Sequence, residues 1–237
     1  MNITSGSVKQ LSLPVNLRDD ATFESFFVAQ HQVEVVAQLR HFLTGGIDHY
    51  LFMSGSSGVG KTHLLQAVCL QAALQHLPAS YIPLADYQQF SLDLLDNLED
   101  MTLVCLDDID AVAGNREWEE GLFDLYNRLH AKQCYLLITA TLSPQASGFL
   151  LPDLVSRLNW GLRYVIQPLS DEDKLRALQL RAHQRGLQLN ETVGWFLLHH
   201  YARDMTTLFT VLDKLDNASL VAQRKLTVPF VKDVLSE

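Results

Sequence analysis

The segment Gly55-Ser56-Ser57-Gly58-Val59-Gly60-Lys61-Thr62 constrains this chain more than any other. It matches the phosphate-loop pattern G-x-x-x-x-G-K-[ST] at every fixed position. Its glycines let the backbone amides converge on phosphate oxygens, with Ser57 and Val59 contributing further amides, and Lys61 has the length to reach terminal phosphates. Thr62 offers a hydroxyl to Mg2+, and His63 continues the first turn of a helix whose positive end faces the anion. Such a loop works only between a strand and a helix. The flanks fit: an apolar run from His49 to Ser54 leads in, and a helical pattern from Thr62 to about Gln75 leads out. A chance glycine-rich turn would lack both.

Four later apolar runs, Tyr81 to Leu84, Thr102 to Leu106, Tyr135 to Thr139 and Tyr164 to Ile166, are short, bounded and separated by helical patterns. Five strands alternating with helices predict an α/β fold, a five-stranded parallel sheet with helices on both faces. Ahead of it, Val33, Val36, Ala37, Arg40 and Leu43 fall at helical spacing until Gly45-Gly46. After Gln167-Pro168 no strand candidate remains. Helix starts are legible at Ser170, with Asp173 in a capping box, and at Asn190, Asp204 and Thr227, the last followed by Pro229. The expected organisation is a polar tail over 1–18, a nucleotide-binding α/β base over 19–168 and a small helical lid over 169–237.

Composition narrows the function. At 237 residues with 48% apolar and 19% charged residues, the chain is long enough for a sizeable core. A formal charge of -9 repels a phosphate backbone, which speaks against direct DNA binding. Cys69, Cys105 and Cys134 are widely spaced within apolar stretches and read as buried thiols of a reducing compartment. With no signal-peptide core at the N-terminus and no membrane-length apolar run, a cytoplasmic protein without a membrane role is expected.

A second motif bears on chemistry. Leu103-Val104-Cys105-Leu106-Asp107-Asp108 reads as a buried strand ending in two carboxylates, Asp107 to hold the Mg2+ shell and Asp108 to orient water. An aspartate in the second place holds water less closely than a glutamate would, which points to slow turnover.

Leu106-Asp107-Asp108-Ile109-Asp110, Ser156-Arg157-Leu158-Asn159-Trp160-Gly161 and the helical C-terminal part together resemble the nucleotide-binding module of the DnaA-related AAA+ family, over residues 22 to about 224. The resemblance implies an AAA+ fold and an adenine nucleotide. It places an arginine finger at Arg157, acting in trans on a nucleotide held by a neighbour; the residue types alone favour an ordinary ion pair with a nearby acid such as Asp153. It puts a polar sensor at Thr141, at the end of the fourth strand, where the family more often has asparagine or aspartate. It puts Phe27 and Val28, after Phe26 and above Phe23, around the adenine; packing alone would also explain these residues. Two departures stand out. Thr206 occupies the place of the lid's sensor arginine, and Asp153 that of an arginine used in filament assembly.

The sequence ends at Glu237, ahead of the place where the initiator's DNA-binding domain would follow. In the tail, Gln10-Leu11-Ser12-Leu13-Pro14 is similar to the peptide by which bacterial proteins dock on the replicative sliding clamp, Gln10 hydrogen-bonding while Leu11 and Leu13 fill apolar pockets. Among members of this family the combination implies a regulator: ADP-bound with Mg2+, tethered to the sliding clamp, acting on the ATP form of DnaA, and capable of homo-oligomerising. The alternative is a self-standing ATPase of the loader type, turning over ATP within its own oligomer.

Overall fold

Parallel pairing dominates the architecture. The structure is a computed structural model and describes residues 20–44 and 48–235. Five strands form one sheet: β1 (Tyr50–Ser54), β2 (Ala79–Pro83), β3 (Leu103–Asp107), β4 (Tyr135–Ala140) and β5 (Leu162–Val165). Their spatial order is β2-β3-β4-β1-β5, and every neighbouring pair is parallel. The central strands β1 and β3 are buried along their whole length. Tertiary amides such as that of Pro83 cannot donate to a ladder, and Pro83 accordingly ends the edge strand β2.

Because side chains alternate along a strand, each strand feeds two cores. Leu51 and Met53 join Leu103, Cys105 and Leu137 on one face, covered by α1 (Val33–His41) and α2 (Lys61–Leu74). Phe52, Val104, Leu106, Leu136 and Ile138 fill the other, under α3 (Arg116–Lys132) and α4 (Pro152–Leu158). All three cysteines are buried and free. The anticipated α/β sheet with helices on both faces is therefore present.

Some details differ from the expectation. β2 begins two residues early, and Leu84–Gln89, read partly as strand, is a 3-10 turn. Between β2 and β3 there is no α-helix but three 3-10 turns, the others being Leu92–Leu95 and Leu98–Asp100. Leu92, Leu95 and Leu98 recur every third residue, the period at which 3-10 side chains eclipse, and Leu95 and Leu98 are buried there. The interspersed Asp93, Asp96 and Asn97 compete with helical backbone bonding, and Asn97 has a left-handed φ of 58°. β5 ends earlier than expected, at Val165. Gly45 and Gly46, expected to stop α1, lie outside the described residues.

The C-terminal part is a helical unit of α5 (Asp171–Gln184), α6 (Glu191–His200), α7 (Met205–Ala222) and α8 (Val228–Leu235). Ser170, Asn190 and Asp204 each cap their helix by accepting a backbone N–H from three residues on. Each cap is worth about 1 kcal/mol. Leu175, Leu178, Leu197, Leu208, Leu212 and Phe230 form its core, against which Phe27 of the N-terminal segment also packs. Among the described residues, no helix is long and apolar enough to cross a membrane.

Candidate nucleotide site

The loop between β1 and α2 owes its shape to close approaches that only glycine permits. A Cβ on Gly55 would lie 2.5 Å from the carbonyl oxygen of Ile166, and one on Gly60 would lie 2.6 Å from the Phe26 ring. Gly60 also has a left-handed φ of 97° and directly precedes the first residue of α2. Lys61 is buried, and its Nζ donates to the carbonyls of Gly55 at 2.8 Å and Ser56 at 3.3 Å, so its charge is held within the loop.

The two acids at the end of β3 part company. Asp107 turns inward: Oδ2 accepts from the Tyr81 hydroxyl at 2.8 Å and Oδ1 from the Thr139 hydroxyl. Thr139 also accepts the Asp108 backbone N–H at 2.8 Å, fixing the turn in which Asp108 takes a left-handed φ of 52°. That turn swings the Asp108 side chain toward the loop. Burial holds its carboxyl above the ordinary range, the Asp107 charge adds to this, and Lys61 opposes it. Asp110 accepts the Thr141 N–H at 2.9 Å and so holds the end of β4.

Together these elements wall a cleft of about 440 Å³ between base and lid, a volume typical of small-ligand sites. Ser57, Gly58, Val59, Gly60, Lys61, Thr62, His63, Asp108 and Thr141 line it. Phe26 and Phe27 line it as well; the Phe26 ring lies against Gly60 and is tilted 55° to the ring of His63, their centroids 5.3 Å apart, and His63 Nε2 lies 2.8 Å from the Thr22 carbonyl. Over the loop lies the start of α7: a Cβ on Gly58 would stand 3.8 Å from the Thr206 hydroxyl.

Three anticipated contacts do not line the cleft. Gly55 lies behind the loop, its carbonyl turned to Lys61. Val28 packs into the base core, because on the extended segment it points away from its neighbour Phe27. Asp107 is covered by Tyr81 and Thr139, so any part it takes in an Mg2+ shell is from behind Asp108. Gln10, Leu11, Ser12, Leu13 and Pro14 lie outside the described residues.

Arg157, in the last turn of α4, lies away from this cleft. Its guanidinium is 4.5 Å from the centroid of Trp160 and 5.9 Å from those of Phe123 and Tyr126. Among the described residues it has no carboxylate partner, Asp153 included. Its charge rests on aromatic faces.

Residues 17–165 match the model of the bacterial DnaA ATPase domain. The chain belongs to that family. Residues 171–235 match a second model, described as the lid domain of Hda. Among solved structures, domain III of the Thermotoga maritima initiator DnaA is 22% identical with a TM-score of 0.80, over 94% of this chain and 98% of that one. DnaA from Aquifex aeolicus bound to AMPPCP is 22% identical with a TM-score of 0.72, over 83% of this chain and 65% of that one. The Holliday junction branch migration motor RuvB of Thermotoga maritima is 13% identical with a TM-score of 0.68, over 93% and 72%. At these identities the structural likeness establishes the AAA+ fold with its helical lid.

Thr139, buried behind the cleft where it holds Asp107 and the turn at Asp108, was detectable as a lone hydroxyl inside an apolar strand, two residues from Thr141 and so on the same face. Arg181, Phe209 and Asp213 of the lid line the cleft itself, and nothing in their local sequence marks them.

Proposed function

We propose that this DnaA-related protein is a negative regulator of replication initiation. It holds ADP in the cleft, is tethered to the sliding clamp through Gln10 to Pro14, and supplies Arg157 in trans to ATP bound by DnaA. The observation that carries this reading is the state of Arg157: outside its own cleft, without a carboxylate partner among the described residues, and held on Trp160. A guanidinium so placed is free to neutralise charge developing on a neighbour's γ-phosphate. The match of the lid to the Hda model supports a regulator within the family.

The cleft's own residues fit an adenine nucleotide with Mg2+. The loop amides and Lys61 take the phosphates, Phe26 and Phe27 border the base, and Thr62 and Asp108 offer the oxygen donors that Mg2+ prefers. Among the described residues no cluster of three His, Cys, Asp or Glu could hold a metal alone, so the ion depends on phosphate oxygens as well. When bound, Mg2+ neutralises phosphate charge. Thr206 brings no cation from the lid, which favours a diphosphate over a triphosphate.

The decisive experiment measures hydrolysis of DnaA-bound ATP with clamp loaded on DNA. Arg157→Ala is expected to lower the stimulated rate by about 10³-fold or more, with ADP binding by the variant unchanged. Unaltered stimulation overturns the proposal. Because Asp108 faces the cleft beside Thr62, the loader-type reading has its own test: steady-state turnover by the purified chain near about one per second would favour it.

A further inference from the structure

Arg181, on the lid helix α5, is 94% buried by a relative exposure of 6%, yet it lies on the wall of the cleft. One arm of its guanidinium pairs with Asp20 of the base, and its Cζ lies 5.5 Å from the Phe209 ring centroid. Its Nε–H is buried and has no hydrogen-bond partner among the described residues. A buried charged donor left unpaired is unfavourable, and a guanidinium has donors alone, so what completes it must be an acceptor.

The position narrows that acceptor. The loop amides and Lys61 already supply the donors suited to phosphates. The wall around Arg181 includes Phe27, Ala177 and Phe209, which suits a flat, largely apolar group carrying a few ring acceptors and not a second anion. We infer that Arg181 reads the nucleoside half of the bound nucleotide, donating its Nε–H to an acceptor of the base or the ribose 2′ oxygen. Since the same guanidinium holds Asp20, the nucleoside is read by lid and N-terminal segment jointly.

This inference rests on the nucleotide reading of the cleft, and calorimetry separates the two. ADP and inorganic pyrophosphate share the diphosphate and differ in the nucleoside. If the wild-type chain binds no ADP, the nucleotide reading falls and this assignment with it. If ADP binds, Arg181→Lys keeps a charge for Asp20 but loses the fork, and is expected to weaken ADP by about tenfold or more while leaving pyrophosphate unchanged. Equal weakening of both, or of neither, overturns the assignment alone. Wild-type protein gives a second arm that no folding defect can obscure. Of the three ring-deaza analogues of ADP and its 2′-deoxy form, at least one is expected to bind about tenfold more weakly. Binding of all four at the strength of ADP overturns the assignment.

Discussion

Tyr81 donates its hydroxyl to Asp107 Oδ2 at 2.8 Å, joining the edge strand β2 to the acid that ends β3. Burial, and then the Asp107 charge, push the phenol's ionisation well up, so it remains a donor at any ordinary pH. Tyr81→Phe leaves a buried carboxylate oxygen short of a partner. Unfolding in urea is expected to show a loss of about 1–3 kcal/mol, and a loss below this range would mean that Asp107 finds another donor.

Glu119 binds the helix that carries Arg157 to the rest of the base. Fully buried on α3, it accepts the backbone N–H groups of Gly114 at 2.8 Å, Leu150 at 2.8 Å and Leu151 at 2.7 Å, the last two leading into α4. Glu119→Ala would strand three donors. It is expected to cost about 3 kcal/mol or more and, where the variant still folds, to lower stimulation of DnaA while sparing ADP binding. Thermal unfolding and the hydrolysis assay read the two effects.

Asp108 predicts a pH dependence. Its carboxyl is held above the ordinary range by burial first and Asp107 second. A carboxyl raised on folding contributes stability below its unfolded value, about 4, which is lost as pH rises through its folded value. In nucleotide-free protein, Asp108→Asn, which also tolerates the left-handed φ, is expected to raise Tm at pH 7. The gain should vanish on acidification to about pH 4. An equal gain at both pH values would assign the effect to something other than ionisation.

Thr206→Arg would restore a cation above the loop, since the threonine hydroxyl stands over Gly58. Binding of a non-hydrolysable ATP analogue should tighten about tenfold relative to ADP, measured by calorimetry. No change in that ratio would place the side chain away from the γ-phosphate.

Trp160→Ala removes the ring nearest Arg157. Stimulation of DnaA should fall by about two- to fivefold, far less than on loss of the arginine itself, with the wild-type Tm nearly kept because Trp160 is 47% exposed.

Short-range features of this chain were legible in the sequence. The loop at Gly55 to Thr62, the caps at Ser170, Asn190 and Asp204, and the apolar runs of β1, β3 and β4 are local patterns whose physics lies within a few residues. Tertiary pairings were not. Asp107 and Asp108 look alike as neighbours, and what separates them is a hydroxyl on each of two other strands, Tyr81 and Thr139. Arg181 meets Asp20 from 161 positions away. A helical arginine carries no sign of such a partner. Where edge strands were misplaced, as with β2 and β5, the sheet leaves one side of the strand unpaired and weakens the signal that marks its ends.

The aromatic seat of Arg157 has a kinetic consequence. A finger stored on a carboxylate must break that pair before it reaches a phosphate, whereas one stored on Trp160 slides off a ring face. In the proposed mechanism engagement therefore adds little barrier once the two proteins have met. The pace of inactivation is then set by encounter, so control passes from the arginine to whatever concentrates the chain beside its target.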